Sequence, residues 1–323
     1  MTQETPKTDT SSAVGKLIPE LLEKLDLRAN SALITIFGDA VSPRGGEIWL
    51  GSLITLAASL GISERLVRTG VYRLSNEGWL QSESQGRRAY YSLTRAGAEK
   101  FHEAQRRIYA RDPVTWDGRW RLIQLLNTIP QPTKTALRRE LGWLGFGQIS
   151  PTLFAHPTEQ VETILRILGR HDLKDKTLVF NAELADFVTG DMIHKVVREA
   201  WHLDMLNQDY LRFIETFKPV VERLETSSPL KGEDAFALRI LTIHDFRRAL
   251  LKDPVLPDQL LPPDWSGGAA RELCADIYHR IADPADRYLV SNLETGSGEI
   301  PDLPASYQAR FKGGKKTAAS PVG

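Results

Sequence analysis

The sequence predicts an α+β chain of several domains: a helix-turn-helix with a hairpin, then a mixed strand-and-helix segment, then a helical remainder. Three observations carry this. Apolar residues recur at helical spacing on both sides of Gly61. Strand-like and helix-like runs alternate from about Trp116 to Ala182. From about Glu183 onward, apolar residues return at three- and four-residue steps. A length of 323 residues suits two or three domains, and 41% hydrophobic with 25% charged residues is ordinary for a folded chain.

The expected organisation is a disordered leader over 1–16, a first domain over 17–111, a second over 112–182, a third over 183–304 and a tail over 305–323. Thr2 to Val14 is polar and lacks the apolar core of a signal peptide. The end, with Lys315 and Lys316, has the same polar character. Asp112-Pro113 marks the first boundary.

In the first domain, Leu53, Leu56, Ala57 and Leu60 make one helical face, and Gly61 breaks it. Ile62 points inward and Ser63 stands where a side chain caps the next helix. That helix, Glu64 to Asn76, places Leu66, Val67, Gly70, Val71 and Leu74 on one side. Arg65, Arg68, Thr69 and Tyr72 fall together on the other, with Arg73 beside them. Two helices around a glycine turn, the second with a cationic outer face, form the helix-turn-helix pattern. A strand over 79–83, a turn Gln85-Gly86-Arg87-Arg88 and a return strand over 89–93 then read as a wing. The candidate DNA contacts are Ser63, Arg65, Arg68, Thr69, Tyr72, Arg73, Arg87 and Arg88. The helix offers donors to base edges, and the wing offers cations to phosphate or to the minor groove. Net charge over the chain is zero, yet Gly61 to Arg111 holds ten Lys/Arg against five Asp/Glu. A local basic excess of this kind is the electrostatic footprint of a DNA-binding face.

The second domain runs strand (120–126), helix (134–144), short apolar pieces around Phe146 and Leu153, helix (159–168), strand (177–180). This β-α-β-β-α-β order is the ferredoxin-like split motif. It resembles the small ferredoxin-like nucleases of CRISPR adaptation, some of which carry an aspartate ending the first strand. Here Asn127 follows Leu126, and an amide replaces a metal-binding carboxylate poorly. The motif then reads as a module for pairing two chains rather than as an enzyme. Gly145-Phe146-Gly147 shapes a turn more readily than it cradles a phosphate.

The third domain is helical. Leu206, Tyr210, Phe213, Phe217, Val221 and Leu224 trace one helix; Phe236, Ile240 and Ile243 begin a second, and Leu273, Ile277 and Ile281 mark another. Asp253-Pro254-Val255-Leu256-Pro257 and Pro262-Pro263 prevent a continuous helix between the last two.

The one cysteine, Cys274, excludes an intramolecular disulfide and a multi-thiolate zinc site, and reads as a buried small hydrophobe. The seven histidines show no metal-ligand spacing. No metal and no cofactor are expected. The longest apolar runs, such as Ala32–Phe37 and Leu53–Leu60, fall far short of the ~20 residues that cross a bilayer. A cytoplasmic protein away from membranes is expected.

A resemblance sharpens this reading. The run Ser42-Pro-Arg-Gly-Gly-Glu-Ile-Trp-Leu-Gly-Ser-Leu53 is similar to the N-terminal signature of the PaaX family, repressors of phenylacetic acid degradation operons. Arg65-Leu-Val-Arg-Thr69, Glu77-Gly-Trp-Leu80, Gly86-Arg-Arg88 and Tyr91-Ser-Leu93 fit the same pattern. So do Trp116-Asp-Gly118, Trp143 with Gly145-Phe-Gly147, Trp201-His-Leu203, Leu251-Lys-Asp-Pro254, Leu260-Leu-Pro262 and Trp265. The resemblance spans roughly Leu17 to Pro304. It implies a winged-helix repressor, dimeric on a palindromic operator and released from it by phenylacetyl-CoA. It does not fix the residues that hold the effector.

An acyl-CoA needs cations for its phosphates and an apolar recess for its acyl end. Arg247, Arg248 and Lys252 follow an apolar helical stripe and are candidates for the first task; Trp201, His202 and Trp265 are candidates for the second. Each also has a plainer reading. The cations can simply face the dipole of their own helix, and Trp201-His202 can be core packing. Two alternatives stay open: a regulator of the same architecture answering another acyl-CoA, and a nucleic-acid-processing enzyme built on the middle domain.

Overall fold

A computed structural model describes residues 15–109, 114–185, 188–226 and 230–312. The expected leader, apart from Gly15 and Lys16, and the end of the expected tail, 313–323, lie outside the described residues.

The chain divides into two compact units, and neither is a continuous stretch of sequence. The first comprises the described residues within Met1–Arg111, Arg212–Leu251 and Gly268–Gly323; the second, those within Asp112–Leu211 and Lys252–Gly267. These units are grouped differently from the linear stretches 17–111, 112–182 and 183–304 expected from the sequence. Helical periodicity identifies a helix but not the surface it covers, and the helices after residue 183 are shared between both units. Residues 305–312 are not a loose tail: Tyr307 and Arg310 are buried in the first unit.

In the first unit, α1 (Leu17–Lys24) and α2 (Ala29–Ile36) lead into a π-helical turn, Phe37–Val41. Strand β1 (Glu47–Trp49) follows, then α3 (Leu50–Ala58), α4 (Glu64–Asn76), β2 (Leu80–Gln85), β3 (Arg88–Leu93) and α5 (Arg95–Tyr109). Gly61 takes φ +69° in the turn between α3 and α4, a conformation that only glycine adopts cheaply. Leu53, Leu56 and Ala57 of α3 and Val67, Val71 and Leu74 of α4 are buried, as the periodicity predicts. Leu66 is the exception: assigned to the inner face, it is 49% exposed, because it lies at the edge of the stripe. Gly70 lets α4 approach α2 closely; a Cβ there would stand 2.4 Å from Leu33 Cδ1. Strands β2 and β3 form the expected hairpin around Gly86 (φ +61°), and β1 joins them in the order β1-β3-β2.

The rest of the first unit is helical: the later part of α9 (Leu203–Thr226), α10 (Gly232–Leu250), most of α11 (Gly267–Asn292) and α12 (Ala305–Gln308). Apolar α10 residues and Phe213, Phe217, Cys274 and Ile277 are fully buried. Arg271 on α11 caps α5, donating to the carbonyls of Arg107 (2.7 Å) and Ile108 (3.0 Å).

At the centre of this unit lies a buried ionic network. Arg239 of α10 donates from Nε to Asp39 Oδ2 (2.5 Å) and from Nη1 to Asp286 Oδ1 (2.6 Å). Arg310 Nη1 reaches Asp39 Oδ1 at 3.1 Å and the Tyr278 hydroxyl at 2.7 Å. Tyr109 donates to Asp39 Oδ1 (2.5 Å) and Tyr307 to Asp286 Oδ1 (2.8 Å). Burial pushes the Tyr109 phenol well above its usual range, so it remains a neutral donor. The network joins the π-helical turn, α5, α10, α11 and α12.

The second unit holds β4 (Arg119–Leu125), α6 (Gln131–Trp143), β5 (Gly147–Ser150), β6 (Leu153–His156), α7 (Val161–Arg170) and β7 (Thr177–Glu183). Its sheet runs β5-β6-β4-β7, and every adjacent pair is antiparallel. That is the order expected of the split β-α-β-β-α-β motif. Alternation along β4 serves both faces. Ile123 and Leu125 meet Leu137, Leu141, Ile164 and Leu168 of α6 and α7. Trp120 and Leu122 meet Val197 of α8 (Gly190–Ala200), Leu203, Leu256 and Leu260. The proline-rich segment is non-helical except for a short 3₁₀ turn, Asp258–Leu260. Among the described residues, no helix is long and apolar enough to cross a membrane.

Candidate nucleic-acid interface

Helix α4 presents Arg65, Arg68, Thr69, Tyr72 and Arg73 on its exposed side, with Ser63 exposed at its start. The structure distinguishes their states. Arg68 is held along the helix by Glu64, at 2.8 and 2.7 Å from its Nε and Nη2. The Thr69 hydroxyl donates to the Arg65 carbonyl at 2.9 Å. Ser63 occupies the N-cap position with extended backbone, but its hydroxyl makes no capping bond. Among the described residues, the side chains of Arg65, Tyr72 and Arg73 have no hydrogen-bond or ionic partner, and Tyr72 is 67% exposed. An exposed aromatic ring on the same helix face as arginines can stack on a base or sugar.

The hairpin's two arginines differ. Arg87, at the tip beside Gly86, is exposed and has no partner among the described residues. Arg88 pairs with Glu294 and lies over the Trp49 ring, 4.7 Å from its centroid. The segment after α11 grips the same sheet elsewhere. Trp49 N donates to Glu294 O (2.8 Å), Glu294 N to Ser52 Oγ (3.1 Å) and Gly296 N to Glu47 Oε1 (2.6 Å). Arg88 is thus a bracket between the hairpin and the exit of α11, leaving Arg87 as the outward cation of the hairpin tip. Sequence reading did not find Glu294, because its contact spans more than 200 residues.

The six effector candidates are divided between the two units. Arg247 and Arg248 belong to the first unit; Trp201, His202, Lys252 and Trp265 belong to the second. Arg247 turns to α2, donating to Thr35 Oγ1 (3.0 Å) and to Ser31 O (3.0 Å) and Oγ (2.8 Å). Arg248 stands 3.7 Å from Asp245, and Lys252 is 2.9 Å from Asp209. Trp201 donates from Nε1 to Gly145 O at 2.6 Å and covers Gly147, whose Cβ would lie 2.5 Å from the indole. Its role is packing against the turn after α6. Trp265 meets Tyr210 edge-on at 5.5 Å. His202 is exposed, with φ +52°.

Two histidines are held neutral by burial, His244 with a pKa of about 3 and His156 with one of about 4. His156 Nδ1 accepts from the backbone of Thr158 (3.1 Å) and Glu159 (2.8 Å) and shapes a loop. Among the described residues, no cluster of His, Cys, Asp or Glu could hold a metal ion. Strand β4 ends at Leu125, and Asn127 lies in the turn beyond it.

The fold and this face together define a class: a multidomain chain of helices and sheets that carries an exposed cationic helix beside a hairpin. Comparison with known proteins supplies the group. Residues 28–97 match the PaaX-like protein family, 113–193 the PaaX protein central Cas2-like domain and 201–291 the PaaX-like protein C-terminal domain. The chain is 37% identical over 303 residues to the transcriptional repressor PaaX of Escherichia coli (strain K12), covering 94% of this chain and 96% of that protein. The chain belongs to the PaaX family. It also resembles the solved structure of the uncharacterized protein Rv0674 from Mycobacterium tuberculosis. That likeness has a TM-score of 0.49 and 21% identity, over 73% of this chain and 89% of that one. The relative that spans the chain is a repressor, not an enzyme, so the nuclease alternative loses its ground.

Proposed function

We propose that this protein is a cytoplasmic DNA-binding transcriptional repressor of an aromatic catabolic operon, released by phenylacetyl-CoA. In this reading α3, α4 and the β2–β3 hairpin form a winged helix. The observation that carries it is the exposed face of α4, where Arg65, Tyr72 and Arg73 have no side-chain partner among the described residues, together with the exposed Arg87 at the hairpin tip. The identity to a transcriptional repressor over 94% of the chain supports it. Arg65 and Tyr72 read base edges in the major groove, while Arg68, Thr69, Arg73, Ser63 and Arg87 meet the backbone.

The protein acts as a homodimer on two half-sites. Recognition helices must then stand one helical turn apart, about 34 Å, or a multiple of that. An effector releases the operator only if it binds the DNA-incompetent arrangement better than the competent one. The bracket through Glu294 gives α11 a direct hold on the hairpin, so a shift of this helix moves the wing.

The test selects a duplex from a random-sequence pool with the full-length protein, then adds phenylacetyl-CoA in a gel-shift titration. A selected palindrome, bound at least a thousandfold more tightly than random duplex and released by the thioester, supports the reading. Uniform affinity for all duplexes contradicts it.

A further inference from the structure

Inside the first unit, a cavity of about 100 Å³ lies among α2, the π-helical turn, α5 and α10. Its wall is mostly apolar, with Ile34, Trp79, Phe101, Ile108 and Ile243 among the lining residues. Lys100 and Leu251 also line it and are exposed, so it opens to solvent. Two cations line it, Lys100 at the exposed edge and Arg247, which is only partly exposed.

The state of Arg247 is unusual for a guanidinium in such a place. All its partners, Thr35 Oγ1 and the two oxygens of Ser31, are neutral. Among the described residues, no carboxylate pairs with it. Asp39 lines the same cavity, but its oxygens are occupied by Arg239, Arg310 and Tyr109. His244 lies behind, its Nδ1 3.2 Å from Thr35 Oγ1, and supplies no negative charge. Arg248 on the next position adds a second positive charge, and burial lowers the pKa of Arg247. A partly buried cation with no counter-charge beside an apolar space is costly, and an acceptor oxygen entering that space relieves the cost.

We propose that this cavity is the acyl subsite of the effector. It takes an apolar group about the size of one aromatic ring or a short branched chain, with a carbonyl or carboxylate oxygen on Arg247. The inference rests on the effector reading above and gives it a location. At about 100 Å³ the space is smaller than the roughly 150 Å³ cavity that holds benzene in a protein core, so a ring enters only if the lining side chains give way at the open side. The open side leaves room for a bulky thioester portion to remain outside.

The position also supplies a route to the DNA face. Trp79 directly precedes β2, and its ring meets Phe101 edge-on at 5.6 Å. Lys100 lies over the same indole at 4.6 Å. The Trp79 carbonyl accepts from Thr94 N at 3.0 Å, closing the base of the hairpin. Phe101 has no slack on its other side, because a Cβ on Gly38 would stand 2.8 Å from its ring. A group entering the cavity therefore presses on Phe101 and Trp79, and the hairpin root moves with them.

The test is calorimetric titration of the full chain, off DNA, with phenylacetyl-CoA, phenylacetate and CoA. Arg247→Met and Ala104→Phe are compared with wild type and with Arg138→Ala in the other unit, all verified as folded by circular dichroism. The expected result is binding of the thioester to wild type and to Arg138→Ala. Arg247→Met should weaken it at least tenfold, as should Ala104→Phe, which fills the cavity without touching the cation. Phenylacetate binding by wild type, lost in both variants, makes the free acid a second source of the same oxygen. If Arg247→Met does not fold, Ala104→Phe alone decides. Thioester binding that survives in the folded variants, or equal binding of CoA alone, overturns the subsite and leaves the effector reading standing. A wild type that binds none of the three compounds overturns both.

Discussion

Asp39, Arg239, Arg310 and Asp286 meet largely out of water in the first unit, whereas the second is built around aliphatic and aromatic side chains. Among the described residues, the second unit's buried polar side chains are His156 and Thr177, and no buried ion pair occurs there. The difference follows from how each is assembled. The second has a four-stranded sheet whose backbone ladder and alternating apolar faces already fix its strand order. The first must bring together three separate chain segments, most of them helical. Apolar helix faces tolerate several packings; a buried carboxylate shared by two arginines and two tyrosines tolerates few. The charge network thus constrains how α10, α11 and α12 seat against the π-helical turn, and with it the unit that carries α4 and the hairpin.

The largest expected effect breaks this contrast directly. Asp39→Asn leaves Arg239 and Arg310 short of a counter-charge and should cost about 3–5 kcal/mol. Leu137→Ala in the apolar core of the second unit should cost about 2–5 kcal/mol through lost burial and a cavity. Stability then differs little between the two, but function should not. At low temperature, where both remain folded, Asp39→Asn should bind its duplex at least tenfold more weakly and Leu137→Ala should bind normally. Hydrogen exchange resolved by segment, with duplex affinity on the same samples, checks both halves. Equal DNA binding by the two variants would show that the network does not position the DNA face.

The next effect is smaller and separates the units by pH. His244 in the first and His156 in the second have folded pKa values of about 3 and about 4, below the roughly 6.5 of an unfolded histidine. Between those values the unfolded chain binds the extra proton. Stability is therefore complete above about pH 6.5 and falls as the pH drops toward the folded pKa, by about 1.4 kcal/mol per pH unit for each histidine. Urea unfolding followed by segment at pH 7 and 5 should show both units weakening. His244→Asn should remove that dependence from the first unit alone; an unaltered slope there would mean His244 already carries its proton when folded.

The same contrast explains what was legible in the sequence. Local periodicity located α3, α4, the hairpin and the strands and helices of the split motif, because each of these follows a short-range pattern. The exposed face of α4 was legible for the same reason. The Asp39 network, the Glu294 bracket and the inward turn of Arg247 were not, since each joins residues about 200 or more apart. One signal was present: Asp39 is a lone acid between the apolar run Ala32–Phe37 and Ala40-Val41, and a charge in such surroundings demands a buried partner. The run did not say that Arg239 and Arg310 would be the partners. The discontinuous units were hidden for a related reason. Leu256 and Leu260 cover the sheet of the second unit, although α9 and α10 separate them from it in sequence.

In the proposed mode of binding, α4 reads bases while the hairpin tip holds phosphate. The most direct measurement is the affinity of Arg65→Ala and of Arg87→Ala for the selected duplex and for a random one, across a salt series. Arg65→Ala should lose about 1–3 kcal/mol on the selected duplex and little on the random one. Arg87→Ala should weaken both alike and flatten the slope of log affinity against log salt by about 0.9. Unchanged discrimination in a folded Arg65→Ala, together with an unchanged salt slope in Arg87→Ala, would contradict the account and place the DNA-reading surface elsewhere on the chain.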